Sequence, residues 1–316
     1  MHIIPITKYS IIFGGHMKHL LKLSDLTAQE LAEILVLAEK LKKEAKQGIF
    51  HPYLKGKTLA MIFSKASTRT RISFEVGMYQ LGGSGLFING CDSQMERGEP
   101  ICDTARVLSR FVNGIMIRTY KQSDVEGLAK FGTVPVINGL TDYCHPCQVV
   151  ADLLTIKEYK GDLSSLKMCY IGDGNNVANS LIAGAALTGM QLTVACPEGY
   201  EPDEKMVELG KQSGTLTVTE DIEAAISGAD AVYTDVWASM GMEKEAEERK
   251  KVFKSYQVNE KVMGLAQKDA MVLHCLPAHR GEEITAETLE KHSDEIFTQA
   301  ENRLHAQKAI MVKLMG

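Results

Sequence analysis

Short, nearly continuous apolar runs alternate with segments of helical periodicity along most of this chain, and that alternation restricts the folds open to it. Such runs suit strands buried on both faces, and strands of that kind pair in parallel when a helix covers each crossover. Residues 58–63 read as one such strand, followed by a helix over 67–81 that Gly82 and Gly83 stop. A strand over 85–88, a helix over 100–111, a strand over 115–117, a helix over 124–131 and a strand over 134–137 continue the pattern. The next helix starts near His145 and runs to about Tyr159. After Lys160-Gly161-Asp162 a second series begins, with strands over 168–171, 192–195, 215–218, 231–234 and 271–273. Its helices start at Asn175 and cover 203–211 and 222–226. Two series of this kind predict two doubly wound α/β domains with central parallel sheets, joined by the long helix at 145–159. Upstream, Thr27 and Glu30 form a capping box, and Leu31, Ile34, Leu35, Ala38 and Leu41 carry a helix that ends near Gly48.

A chain of 316 residues exceeds what one core usually serves, in keeping with two domains. The net charge of −5 argues against nucleic acid as a general partner, so arginines near position 70 are a local device. Seven cysteines, an odd number, argue against a disulfide framework and for a reducing compartment. No apolar run reaches membrane-spanning length. Residues 1–16 lack the features of a signal peptide and are expected to be an extension outside the fold, with Met17 as the natural start.

Ligands of open α/β sheets bind beyond the carboxyl ends of the strands. Candidate groups collect there: residues 67–71, Arg118, Asn138 and His145 in the first half, and 172–176, 235–241 and 274–277 in the second. Ser67-Thr68-Arg69-Thr70-Arg71 crowds hydroxyls and two arginines into one helical turn. Ser67 alone could be a cap. Cations at a helix start oppose the dipole unless an anion is present, so the turn reads as an anion site.

The other motifs carry weaker signals. Cys144-His145-Pro146-Cys147 has thiol–disulfide spacing, but neither a thioredoxin-like order nor a second ligand pair for zinc accompanies it. His145 and Gln148, three apart, are expected to face one ligand and to donate to a carbonyl oxygen, with Cys144 and Cys147 as packing residues. Gly172-Asp173-Gly174-Asn175-Asn176 approaches a dinucleotide fingerprint, yet Val177 stands at the third glycine position, so two asparagines for a small substrate fit better. Asp235 is either a turn cap or an acceptor for a substrate ammonium. Cys275 could be a nucleophile, but its neighbour His274 would point to the opposite face of a strand, so a hydrogen-bonding role is favoured. Arg303 and the charge run over 243–251 read by default as solvated charges.

Taken together, Ser67-Thr68-Arg69-Thr70-Arg71, His145-Pro146-x-Gln148, Asp235-x-x-x-Ser239-Met240-Gly241 and His274-Cys275-Leu276-Pro277 resemble the ornithine carbamoyltransferases, a branch of the aspartate/ornithine carbamoyltransferase family. The resemblance runs from about Met17 to the C-terminus. It implies a carbamoyl phosphate-binding domain over 17–150, an ornithine-binding domain over 151–295, and a C-terminal helix over 296–316 that packs back on the first. The active site would lie in the interdomain cleft. Carbamoyl phosphate would be bound by Ser67, Thr68, Arg69, Thr70, Arg118, His145, Gln148, Arg303 and the Cys275-Leu276 backbone. Gln94 would reach the phosphate of a neighbouring subunit in a homotrimer with shared sites. Ornithine would be bound by Asn176, Asp235, Ser239 and Met240. Arg118, His145, Asp235 and Cys275 would carry the catalysis, with no metal and no organic cofactor. The same resemblance implies carbamoyl transfer to L-ornithine, giving citrulline, in arginine biosynthesis, in the cytoplasm and without a nucleic-acid or membrane partner.

The rival expectations are a sister carbamoyltransferase acting on putrescine or an acylated ornithine, a nicotinamide-dependent oxidoreductase, and a catalytically silent homologue. The first is disfavoured by the Ser239-Met240-Gly241 loop, the second by the failed glycine fingerprint, and the third by retention of every expected ligand type. Arg69→Ala is expected to nearly abolish citrulline formation in a steady-state assay by leaving phosphate charge uncompensated; near-normal turnover would refute the role assigned to Arg69.

Overall fold

The computed structural model describes residues 17–239, 241 and 244–316. The expected N-terminal extension and the Met240 assignment fall outside them. The first half of the chain runs α1 (Ala28–Lys46), β1 (Thr58–Phe63), α2 (Thr68–Gln80), β2 (Ser84–Asn89), α3 (Ile101–Phe111), β3 (Gly114–Arg118), α4 (Gln122–Phe131), β4 (Val136–Leu140) and α5 (Pro146–Lys160). The second half runs β5 (Lys167–Ile171), α6 (Asn176–Thr188), β6 (Gln191–Ala195), α7 (Glu204–Ser213), β7 (Leu216–Thr219), α8 (Ile222–Ile226), β8 (Ala231–Thr234), α9 (Ala246–Val252), α10 (Glu260–Met263), β9 (Met271–His274), α11 (Ala286–Lys291) and α12 (Ser293–Met315).

The strands form two parallel sheets, ordered β2-β1-β3-β4 and β7-β6-β5-β8-β9. In each sheet the winding reverses once, between β1 and β3 in the first and between β5 and β8 in the second. Such reversals open a crevice at the carboxyl ends of the strands, because the flanking connections diverge to opposite faces. The α/β class and the two sheets agree with the expectation from the sequence.

One strand is displaced from its expected place. The sequence puts it at 134–137, whereas β4 spans Val136–Leu140. Pro135 has no N–H for a ladder, and its carbonyl accepts from Ile115 N at 2.9 Å just ahead of the strand. Asn138 can then sit inside the sheet because its amide donates to Leu21 O at 2.8 Å. The expected capping box of α1 is present, with Thr27 N donating to Glu30 Oε2 at 2.8 Å and Glu30 N to Thr27 Oγ1 at 3.2 Å.

Helix α5 is buried on every side from Pro146 to Ile156. Its all-round burial follows from its neighbours, since α1, α6, β4 and α12 all pack on it. Helix α12 lies against α5, α1 and α2 and also meets β9. The main core therefore runs unbroken from Leu59 and Met61 under the first sheet, through Leu153 on α5, to Tyr170 and Leu192 under the second. Leu153→Ala should cost about 2–5 kcal/mol, the usual range for emptying such a site, and a lowered denaturant midpoint at unchanged slope would register it.

Candidate active site

A cleft of about 730 Å³ opens where the two sheet crevices face each other. Its first wall begins at the start of α2. Ser67 caps the helix, its Oγ accepting from Thr70 N at 3.2 Å, and Thr68, Arg69 and Thr70 line the cleft with it. Arg71 does not join them. Two residues beyond Arg69, it projects from another side of the helix, over the Phe87 ring at 3.8 Å and beside Glu75 at 3.4 Å. Of the two arginines that the sequence places in an anion site, only Arg69 lines the cleft.

Arg118 at the end of β3, His145 capping α5, and Gln148 on its first turn complete this wall. Arg303 enters from α12. It is buried, donating to Gln148 Oε1 at 2.6 Å and to Thr70 Oγ1 at 3.1 Å. The default expectation of a solvated charge is overturned, because the face of α12 that carries Arg303 is the face packed on α5 and α2. Buried Arg118 Nε, Arg303 Nε and His145 Nδ1 have no partner among the described residues. Burial, then Arg303, lowers Arg118 to about 9, and burial with Arg303, Arg118 and Arg69 drives His145 well below the ordinary imidazole range. A neutral imidazole thus sits among three guanidinium groups, a field that favours an anion.

Gln148 departs from its expected role as a donor to a carbonyl oxygen. Its Nε2 donates to Asp152 Oδ1 at 2.8 Å, which leaves the acceptor end, Oε1, toward Arg303. Toward a ligand, this amide can accept an N–H.

The second wall gathers around Asp235, beyond β8. Its Oδ2 accepts from Asn175 Nδ2 at 2.8 Å, and its Oδ1 from Val236 N at 2.8 Å and Cys275 Sγ at 2.9 Å. Desolvation, then the Asp235 carboxylate, holds the Cys275 thiol well above its ordinary range, so it is a protonated donor and not a thiolate. Asn175 is committed within the protein: besides holding Asp235 it caps α6, accepting from Val177 N at 2.8 Å. Asn176 lines the cleft, its amide donating to Thr141 O at 2.6 Å, and Ser239 lines it as well. Gly174 is required by packing, since a Cβ there would lie 2.2 Å from Pro202 N.

Leu276 also lines the cleft, with φ at 55° and its amide donating to His274 Nδ1 at 2.9 Å. With Nδ1 accepting, Nε2 carries the proton and donates to buried Glu283 Oε1 at 3.0 Å. His274 thus faces away from the cleft and braces the turn that holds Cys275 and Leu276. Gln94 lies on an exposed turn and does not line this cleft.

Several lining residues were missed in the sequence. Arg249 belongs to the run expected to be solvated, yet it is buried, paired with Asp173 at 3.0 Å and Glu245 at 3.1 Å and donating to Trp237 O at 3.0 Å. It ties both ends of the segment that carries Ser239 to the end of β5. Burial raises Asp173 to about 6, against the pull of Arg249. Lys65 pairs with Asp142 beside the anion turn. No local pattern separates these charges from ordinary surface ones, although the place of Lys65 just ahead of Ser67 was a usable signal.

Alkylation tests the thiol geometry. Asp235→Ala removes the second cause of the raised Cys275 pKa, so iodoacetamide labelling of Cys275 at pH 8, followed by peptide mass spectrometry, should quicken several-fold. An unchanged rate would show that Asp235 does not hold the proton there.

Two family models match this chain. The carbamoyl-P binding domain of aspartate/ornithine carbamoyltransferase covers residues 18–158, and the Asp/Orn binding domain covers 164–314. The ornithine carbamoyltransferase of Carboxydothermus hydrogenoformans is 60% identical over 301 residues, 94% of this chain and 97% of the relative. That of Pelobacter propionicus is 56% identical over 301 residues, 95% and 99% of the two chains. Among solved structures, ornithine carbamoyltransferase from Pyrococcus furiosus superimposes with a TM-score of 0.91 at 53% identity, covering 95% of this chain and 97% of the other. The protein from Giardia lamblia, at 32% identity, still gives 0.85 over 95% and 99%. With both of its halves matched and its cleft built from the ends of both sheets, the chain belongs to the aspartate/ornithine carbamoyltransferase family.

Proposed function

We infer that the protein transfers the carbamoyl group of carbamoyl phosphate to the δ-amine of L-ornithine, giving L-citrulline and phosphate. The observation that carries this is one cleft with two chemically opposite walls. One presents a helix start, Arg69, Arg118, Arg303 and a neutral His145, and the other presents the Asp235 carboxylate and a protonated Cys275. A dianionic phosphate suits the first, and an amino-acid ammonium suits the second.

The roles follow from the donors and acceptors available. Ser67, Thr68, Arg69 and Thr70 would hold the phosphate oxygens. The neutral δ-amine attacks the carbamoyl carbon, and charge grows on the carbonyl oxygen, where Arg118, His145 and Thr70 donate. Gln148 Oε1 would accept from the carbamoyl NH2 group. The bond from carbon to the bridging oxygen breaks, and the departing phosphate takes the proton of the amine. Asp235, Asn176 and Ser239, with Met240, would orient ornithine through its α-amino and α-carboxylate groups, with Cys275 donating to Asp235 between the substrates. Position and charge supply the acceleration, and no cofactor enters this scheme.

A homotrimer and a place in cytoplasmic arginine biosynthesis are part of the same proposal. Ile72, Tyr79, Leu86 and Phe87 are large apolar side chains exposed on α2 and the edge strand β2, which supports subunit contact there. Gln94, exposed and away from its own cleft, fits a role toward a neighbour. Cys102, Cys144, Cys147, Cys169, Cys196 and Cys275 carry free thiols, in keeping with a reducing compartment.

Citrulline formation from ornithine and carbamoyl phosphate is the direct test, with putrescine and acylated ornithine as competing acceptors; no citrulline from ornithine would sink the proposal. His145→Ala should lower kcat by about 10²–10³, the usual loss for one such donor. Because burial and three guanidinium groups hold His145 well below the ordinary imidazole range in the free protein, kcat/KM for carbamoyl phosphate should show no ionisation of His145 between pH 6 and 8.

A further inference from the structure

Asp152 lies on α5 one turn beyond Gln148 and is wholly buried, yet it does not line the cleft. Its Oδ1 accepts from Gln148 Nε2 at 2.8 Å and from Gln299 Nε2, on α12, at 2.6 Å. Both amides meet the same oxygen, Oδ1, which accepts and so takes the NH2 end of each, whether or not the other carboxyl oxygen, Oδ2, carries a proton. Gln148 then has only its oxygen left for Arg303, at 2.6 Å, and the same guanidinium continues to Thr70 Oγ1 at 3.1 Å. A chain of hydrogen bonds thus leads from a carboxylate outside the cleft to the phosphate turn. We propose that Asp152 is a positioning residue for the carbamoyl phosphate site, acting through Gln148 to fix which end of that amide faces Arg303 and the ligand.

The chemistry of the amide makes such a device necessary. The two ends of a glutamine side chain are nearly equal in shape, and rotation about its last bond meets only a low barrier. Turned over, Gln148 would point NH2 at a guanidinium and could neither hold Arg303 nor accept a carbamoyl N–H. The titratable and charged groups facing Asp152 are Arg303 from α12, Tyr233 from β8 and Cys275 beyond β9. Burial raises its carboxyl to about 7 against Gln148, Arg303, Tyr233 and Gln299, so it is held at a cost that an apolar residue on a buried helix would not incur. Its alternative role is to pin α12 to α5 through Gln299.

The inference rests on the carbamoyl phosphate reading, and one set of measurements separates the two. The dissociation constant of carbamoyl phosphate is measured for the unmutated protein, Asp152→Asn, Gln148→Ala, the double variant and Gln299→Met, with an unfolding midpoint for each. Asp152→Asn should weaken binding about tenfold, within the span of coupled neighbours, but by less than about twofold once Gln148 is alanine. The KM for ornithine should stay near its original value in Asp152→Asn, and Gln299→Met should bind carbamoyl phosphate normally. Equal losses in both backgrounds, tighter or unchanged binding in Asp152→Asn, or an equal loss in Gln299→Met would overturn the proposal. Absence of binding in the unmutated protein would remove the functional reading, and the positioning role with it. A neutron structure of the unmutated protein tests the same point without substitution: deuterium of Gln148 directed at Asp152 is expected, and deuterium directed at Arg303 would overturn the assignment.

Discussion

The buried guanidinium of Arg303 joins three parts of the chain that are distant in sequence. It bonds Thr70 at the start of α2 and Gln148 on α5 from a position on the last helix. A charge that deep is tolerated only where its hydrogen bonds are made and its field is used. Its two Nη atoms are bonded to Gln148 and Thr70, and Nε, without a partner among the described residues, belongs to a group that lines the cleft, where an anion would use the field. The C-terminal helix is therefore part of the site as well as part of the scaffold.

The opposite wall depends on a carboxylate in the same way. Asp235 accepts from an asparagine amide, a backbone N–H and a thiol, each from a different segment. Burial together with those bonds sets the states of its neighbours: Asn175 is spent on structure, and Cys275 is kept as a thiol. The His274–Glu283 pair behind the turn and the Arg249 ties to Asp173, Glu245 and Trp237 brace the two segments that approach Asp235. A cationic wall therefore faces an anionic one across a single cleft, each braced in part from behind, by Asp152 on one side and by His274 and Glu283 on the other.

Packing two α/β sheets end to end explains how so many groups converge. Each sheet reverses its winding once, and each reversal opens a crevice at the carboxyl ends of its strands. Ser67–Thr70 and Arg118 flank the first crevice, and Asp173–Asn176 and Asp235 flank the second. The short connections after these strands are set by a hydrogen-bonded ladder, so their side chains are aimed by the most rigid part of the molecule.

Local chemistry made much of this legible in the sequence. Apolar runs marked the strands, the Thr27–Glu30 box marked the first helix, and hydroxyls beside Arg69 marked a turn that lines the cleft, because each of these signals arises within a few residues. Tertiary structure decided what depends on distant partners. Arg303 and Arg249 look like surface charges in sequence and are buried in the fold, because burial is conferred by the helices and strands packed against them. Arg71 looks equivalent to Arg69, yet the helix turns it away to Phe87 and Glu75. Gln148 was recognisable as a ligand-facing amide, but which of its ends faces the cleft is set by the carboxylate behind it, since neither end of an amide prefers a direction until a neighbour supplies one.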